Sequence, residues 1–254
     1  ESVKSFHIAI LAISVISISV YPASGKERQS EYHSAWELAI TKASTATEPK
    51  MIWQSRTEQR EVEIGLNSQQ ALEVLKQIPV KGRAPKTGYS RSAFGPQWSD
   101  VDRNGCDTRN DILKRDLINI VFRDQTRECV IESGLLLDPF SNTEINFFRG
   151  QKSSMLVQID HVVSLSNAWQ TGIFQSSIKE RTAFANDPIN LLAVKGSLNS
   201  QKGDSDAATW LPPHKPFRCK YIALQINVKA KYGLWVTRAE QEAMIRILSS
   251  KECR

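Results

Sequence analysis

The sequence predicts an α+β fold, and three observations carry that expectation. Strand-like apolar runs and helical patterns fall in separate stretches instead of alternating strictly, which favours segregated helices and sheet over a parallel α/β arrangement. The strand-like runs gather between residues 129 and 194, and two helical patterns close the chain. The 254 residues, 41% hydrophobic and 24% charged, suffice for one or two domains with a sizeable core.

The chain opens with Lys4, an apolar stretch over 6–20 and then Tyr21-Pro22-Ala23-Ser24-Gly25. A basic start, a short apolar run and small residues after it predict a secretory signal peptide over 1–24. The run is short for a membrane span and is diluted by His7 and several serines. An exported protein with no stable membrane insertion after cleavage is therefore expected, with an uncleaved N-terminal anchor as the alternative. The first residue is not Met, so the natural start is expected slightly upstream. Residues 25–65 are polar and weakly patterned and read as an extension, followed by a domain over 66–254.

Within that domain, 67–78 reads as a helix, with Ala71, Leu72, Leu75 and Ile78 on one face and Asn67 or Ser68 as cap. A Gly/Pro-punctuated loop over 80–98 carries Lys81, Arg83, Lys86 and Arg91, either a phosphate-gripping surface or a solvated loop. Residues 107–117 read as a helix capped by Asp107. Strand pieces follow over 129–139, with a turn near Ser133-Gly134, and over 143–150. Further strands are expected over 154–163 and 190–194. Residues 195–210 read as a turn running into a short helix. Two helices then follow, one over roughly 217–232 and one opening at the capping box Thr237–Glu240.

The four cysteines, Cys106, Cys129, Cys219 and Cys253, form no C-x-x-C pair that would suggest structural zinc. An even number after a signal peptide predicts two disulfides. Pairing in sequence order, Cys106–Cys129 and Cys219–Cys253, closes the shortest total of loops and is the pairing expected. The net charge of +6 favours polyanionic partners, nucleic acid or an anionic membrane surface, although a generic basic secreted protein has the same balance.

Chemistry concentrates in three short pieces. Asp160-His161 ends one strand, Asn190 begins the next, and Asn199 is expected to open the helix after it. Two paired strands with a helix packed across them would bring the pieces onto one surface. Asp160 and Asn199 then offer hard oxygen ligands suited to Mg²⁺, with Mn²⁺ as the other candidate. His161 stands beside that metal, free to take a proton from water. Singly these residues carry little: an Asp-His step is commonly structural, Asn190 suits a turn and Asn199 a helix cap. His33 and His214 have no ligand partner at useful spacing, and Trp169 and Trp210 read as core.

As a set, "IDHVVSLSNAW", "FANDPINLLAV" and "NSQKGD" resemble the HNH nucleases with a ββα-metal core. The closest branch is the DUF1524 group, GmrSD C-terminal-like, which includes secreted proteins of actinobacteria. The resemblance extends over about 66–254, through "GYSRSAFGPQW", "GCDTRNDILKRDL", "GLLLDPFSNTEINFFRG" and "WLPPHKPFRCKYI". It implies a ββα-metal core within about 154–210, embellished with additional helices and hairpins. It implies His161 as general base, Asp160 as metal ligand, and Asn190 as the residue that orients the His161 loop. Asn199 stands where many relatives have the final metal-binding His, a familiar variant that leaves the metal's identity open. Arg181, Lys202 and Arg109 are candidate contacts to the substrate phosphates. The implied reaction leaves a 5′-phosphate and a 3′-hydroxyl, with low sequence specificity and DNA ahead of RNA as substrate. The competing readings are a catalytically silent nucleic-acid-binding or cell-surface protein, and an exported nuclease toxin with the same chemistry.

Overall fold

The computed structural model describes residues 66–150 and 153–253. The expected signal peptide, the extension and His33 lie outside the described residues. What is described mixes helix and sheet, the α+β class that the sequence predicts.

Helix α1 (Ser68–Gln77) starts at a reciprocal cap in which the Asn67 side chain accepts from the Gln70 N–H and the Gln70 side chain accepts from the Asn67 N–H. After a 3₁₀ turn over Arg91–Phe94, α2 (Thr108–Asp116) begins at Asp107, whose carboxylate accepts from the Asn110 N–H. Strand β1 (Leu117–Phe122) follows α2 without a loop, an element that the sequence reading passed over. Antiparallel pairing sets the order β1-β2-β3, with β2 (Ile131–Leu137) between β1 and β3 (Glu144–Phe148). The turn expected near Ser133-Gly134 is absent: Gly134 pairs with Phe147 inside β2. A Cβ on Gly134 would stand 3.1 Å from Leu117 Cδ1 and 3.3 Å from the Ile118 carbonyl oxygen. This glycine marks a close strand crossing, not a turn.

A second sheet pairs β4 (Val157–His161) antiparallel with β5 (Leu191–Lys195), placing Asp160 opposite Leu192 and His161 opposite Leu191. The connection between these strands holds α3 (Leu165–Gln170) and α4 (Ile178–Ala185). Helix α5 (Gly196–Lys202) follows β5 directly, so Asn199 lies mid-helix instead of opening it. Helices α6 (Arg218–Lys231) and α7 (Arg238–Leu248) close the fold, α7 starting at the Thr237–Glu240 capping box. Both disulfides join in sequence order, Cys106–Cys129 and Cys219–Cys253.

Strand β5 is buried on both faces. Leu191 and Ala193 join Val157, Ile159, Leu113, Leu117 and Phe147 in one core. Leu192 and Val194 turn the other way, against Leu75, Tyr221, Ile226 and Met244. Period-2 alternation between two cores explains an unbroken apolar run in a short strand. The edge of β5 away from β4 is closed by side chains. The Ala193 N–H donates to Asp116 at 2.8 Å, the Lys195 N–H to Asp138 at 2.9 Å, and Arg115 donates to the Leu191 carbonyl at 2.7 Å. Buried backbone groups that no strand could satisfy thus find partners. Trp169 is buried, and the Trp210 ring packs 5.1 Å from Phe140, so both act as core residues.

The passage from β5 into α5 depends on one missing side chain. A Cβ on Gly196 would stand 1.9 Å from the Met155 carbonyl oxygen, a backbone atom that cannot swing aside. Gly196→Ala should therefore cost about 1–3 kcal/mol, as overpacking does, read as a lower thermal midpoint. An unchanged midpoint would show that α5 does not start against residue 155.

Candidate functional site

The site forms where β4 ends. Buried Asn190 fixes the chain as it leaves that strand. Its carbonyl accepts from the Val162 N–H at 2.8 Å, its Oδ1 from the Val163 N–H at 2.8 Å, and its Nδ2 donates to the Val163 carbonyl at 3.3 Å. These bonds give the backbone after His161 a strand-like partner where the ladder has already ended.

The His161 Nε2 lies 2.9 Å from the carbonyl oxygen of Ala185, the last residue of α4. A carbonyl only accepts, so Nε2 carries the proton and Nδ1 keeps a lone pair. Burial depresses the imidazole pKa from 6.5 to about 4. The bond to Ala185 partly opposes this, and the positive charges of Lys202 and Arg91 add to it. His161 is therefore neutral at pH 7.

Asp160 faces α5. Its carboxylate accepts from the Lys202 ammonium at 2.7 and 2.8 Å, and the same ammonium donates to the His161 carbonyl at 2.5 Å. Both side chains are almost wholly buried. Burial pushes the Asp160 carboxyl up and the Lys202 ammonium down, while their mutual attraction opposes both shifts. A lysine has three N–H donors, and here all three are taken. Lys202 reaches no phosphate from this position without leaving Asp160.

One recess of about 260 Å³ gathers Asp160, His161, Asn199, Asp204, Tyr89 and Arg91. Asn199 is oriented by Nδ2 donating to Gln158 Oε1 at 2.9 Å. The basic loop of 80–98 divides by role. Arg83 pairs with Asp206, Lys86 with Asp204, and the Lys81 ammonium lies over the Trp235 ring. Arg91 forms no ion pair among the described residues and lines the recess instead. Arg181 lies apart: it donates to the Ala93 and Ser176 carbonyls at 2.7 and 2.5 Å and stacks over Trp169. Arg109, half-buried on α2, lines neither the recess nor the adjoining cavity. His214 donates to the Pro139 carbonyl at 3.3 Å.

Asp160, Asn199 and Asp204 are hard oxygen donors, the chemistry that Mg²⁺ and Mn²⁺ take. Among the described residues no group of three or more His, Cys, Asp or Glu side chains gathers. That donor set fits a cation held by one or two protein oxygens, completed by water and substrate phosphate, as Mg²⁺ usually is. It does not fit an all-protein cage. Sequence reasoning missed three participants: Gln158, Asp204 and the task of Lys202. Only the spacing of Lys202 from Asn199 on one helix carried a signal, since pairing across to Asp160 is tertiary.

Residues 107–247 match the family model described as GmrSD restriction endonucleases, C-terminal domain. An "Uncharacterized secreted protein" of Arthroderma benhamiae (strain ATCC MYA-4681 / CBS 112371) is 35% identical over 182 residues, 71% of this chain and 84% of that protein. No solved structure matches. The chain belongs to the GmrSD C-terminal-domain family, and that membership points to a function of the nuclease type. Among the described residues, no helix is long and apolar enough to cross a membrane.

Two outcomes follow from this geometry. In EDTA, ¹⁵N NMR of His161 should show the Nε2–H tautomer and a titration centred near 4. A folded-state pKa below the ordinary 6.5 means that the neutral histidine stabilises the fold above pH 6.5, and that this contribution fades as pH falls toward 4. Titration near 6.5 would place the ring in solvent. Separately, Lys202→Met strands a buried carboxylate and should cost about 3–5 kcal/mol, with Asp160→Asn restoring part of it in the double variant. Near-wild-type melting of Lys202→Met would mean the pair is not buried in solution.

Proposed function

We propose that this protein is a secreted, metal-dependent nuclease that hydrolyses phosphodiester bonds with little sequence preference, DNA ahead of RNA. Its core is of the ββα-metal (HNH) type, made of β4, β5 and α5. The observation that carries the reading is the orientation of His161, whose Nε2 is committed to the Ala185 carbonyl. Nδ1 is left as acceptor on a residue that lines the same recess as Asp160 and Asn199.

In this reading Nδ1 takes a proton from the attacking water, whose oxygen bonds to phosphorus. The bond from phosphorus to O3′ breaks, and the departing oxygen leaves as a 3′-hydroxyl after taking a proton from solvent. The phosphate stays on the 5′ side. A pKa of about 4 makes the free imidazole a weak base, and a bound phosphate anion raises it toward the working range. Asp160 and Asn199 would hold the Mg²⁺ or Mn²⁺. The cation, when bound, neutralises phosphate charge and stabilises the leaving oxygen. Asn190 keeps the strand exit fixed so that the imidazole does not rotate away, and Arg91 presents positive charge to the substrate. Family membership and a relative described as secreted support the nuclease and export halves of the reading.

Plasmid nicking in Mg²⁺ tests it. Cleavage should stop in EDTA, and His161→Ala should lower turnover at least about a hundredfold, the low end for a general base, with melting preserved. Asp160→Ala or Asn199→Ala should weaken Mn²⁺ binding. Full cleavage after exhaustive chelation, or by folded His161→Ala, would overturn the mechanism. Tight DNA binding without any cleavage by the wild type would instead favour the silent binding protein.

A further inference from the structure

A second cavity, about 230 Å³, opens on the other side of His161 and shares Arg91 and Leu165 with the recess. Trp98 provides an aromatic wall, its ring 18° from parallel to the His161 ring with centroids 6.2 Å apart. Phe94 and Pro96 add apolar surface. Arg91, Gln97, His161 and Asn186 are its polar residues, and Asn186 is 1% exposed. The Asn186 Nδ2 donates to the Thr182 carbonyl at 2.9 Å, while its Oδ1 is buried with no hydrogen-bond partner. An orphaned buried acceptor destabilises a fold unless something donates to it.

Trp98 also has φ of +56°, a left-handed conformation that a bulky side chain avoids. The surrounding loop enforces it. The Trp98 carbonyl accepts from the Thr108 N–H, and the Ser99 carbonyl from the Thr108 hydroxyl. Asp100 accepts from the Asn104 and Gly105 N–H groups, and Cys106 is tied to Cys129. Strain kept in place by several independent contacts is a feature of binding and catalytic positions.

We infer that this cavity is a nucleobase subsite: a base next to the scissile phosphate stacks on Trp98 and donates an N–H to Asn186 Oδ1. The volume lies below the range of about 300–1,000 Å³ typical of pockets for drug-sized ligands, which suits one flat ring system. Every nucleobase carries an N–H donor on its pairing edge, so the contact demands a base without choosing among them. The exposed carboxylates of Asp100 and Asp102, just beyond Trp98 in the chain, repel phosphate and favour the uncharged part of a nucleotide. A base can enter only after leaving the duplex stack, at an energetic cost, so the substrate is single-stranded or locally unpaired nucleic acid. The inference rests on the nuclease reading and deepens it.

Trp98 packs partly against the core between the two sheets, so the test must separate stacking from packing. Wild type, Trp98→Phe and Trp98→Leu are compared in EDTA for binding a fluorescein-labelled single-stranded 10-mer of DNA, its duplex, and the same strand with abasic residues. Wild type and Trp98→Phe should bind the intact single strand at least about tenfold more tightly than the abasic strand or the duplex, within the range of base–aromatic stacking. Trp98→Leu should lose that preference while still folded at the assay temperature, its thermal midpoint lowered by the lost packing. Equal binding of intact and abasic strands by wild type, or an unchanged preference in Trp98→Leu, would overturn the subsite. If Trp98→Leu unfolds, the wild-type comparison of intact and abasic strands decides alone. Base-dependent binding without cleavage would spare the subsite and sink the nuclease; cleavage without base-dependent binding would do the reverse.

Discussion

The ammonium of Lys202 draws together three acceptors that would otherwise be buried without partners: both oxygens of Asp160 and the carbonyl of His161. All three belong to the last two residues of β4, and the donor belongs to the end of a helix that starts from the partner strand. The site's geometry hangs on this single buried cation. It fixes α5 across β4, which brings Asn199 toward Asp160, and it holds the peptide that carries His161. A buried ion pair is not by itself a source of stability, because desolvating two charges offsets much of their attraction. Its value here is positional. The same device recurs away from the site, where buried Lys229 donates to Asn167, the Trp235 carbonyl and Glu240 and ties α6 to α3 and α7.

Around that pair, the fold solves a problem posed by β5. A two-stranded sheet leaves each strand with an unpaired edge, and β5 lies between two cores where water cannot serve. Asp116, Asp138 and Arg115 close the edge with charged side chains drawn from the first sheet and its flanking helix. The three-stranded sheet is thus linked to the site through these contacts and the core it shares with Val157 and Ile159. Neutrality of His161 follows from the same burial. The ring is partly buried, bonded to Ala185, and faces positive rather than negative charge.

Local signals in the sequence were legible where one residue type satisfies one local demand. Asn67 with Gln70, Asp107, and Thr237 with Glu240 all cap helices as their spacing suggests. The largely apolar run at 190–194 announced a strand, which the structure buries on both faces. The adjacency of Asp160 and His161, with Asn190 and Asn199 at their spacings, identified the residues that the structure gathers at one strand end. What failed was tertiary. Gly134 looks like a turn residue because glycine commonly marks one, but its role is to admit Leu117. "LINIVF" followed a helix without a break and had no punctuation to announce a strand. Gly196, not Asn199, begins α5, since the constraint is the Met155 carbonyl across the sheet. Neither the Lys202 pairing nor the left-handed Trp98 leaves any periodic trace.

In the proposed mechanism Asp160 and His161 act as one catalytic unit on phosphodiesters. Residues of one unit lose their effects non-additively, because either removal already disables it. The direct measurement is a double-mutant cycle on single-turnover cleavage of DNA in Mg²⁺, with Asp160→Ala, His161→Ala and the double variant, each checked for folding. The double variant should be scarcely slower than the slower single variant. Fully multiplicative losses, or a rate that neither substitution changes, would contradict it.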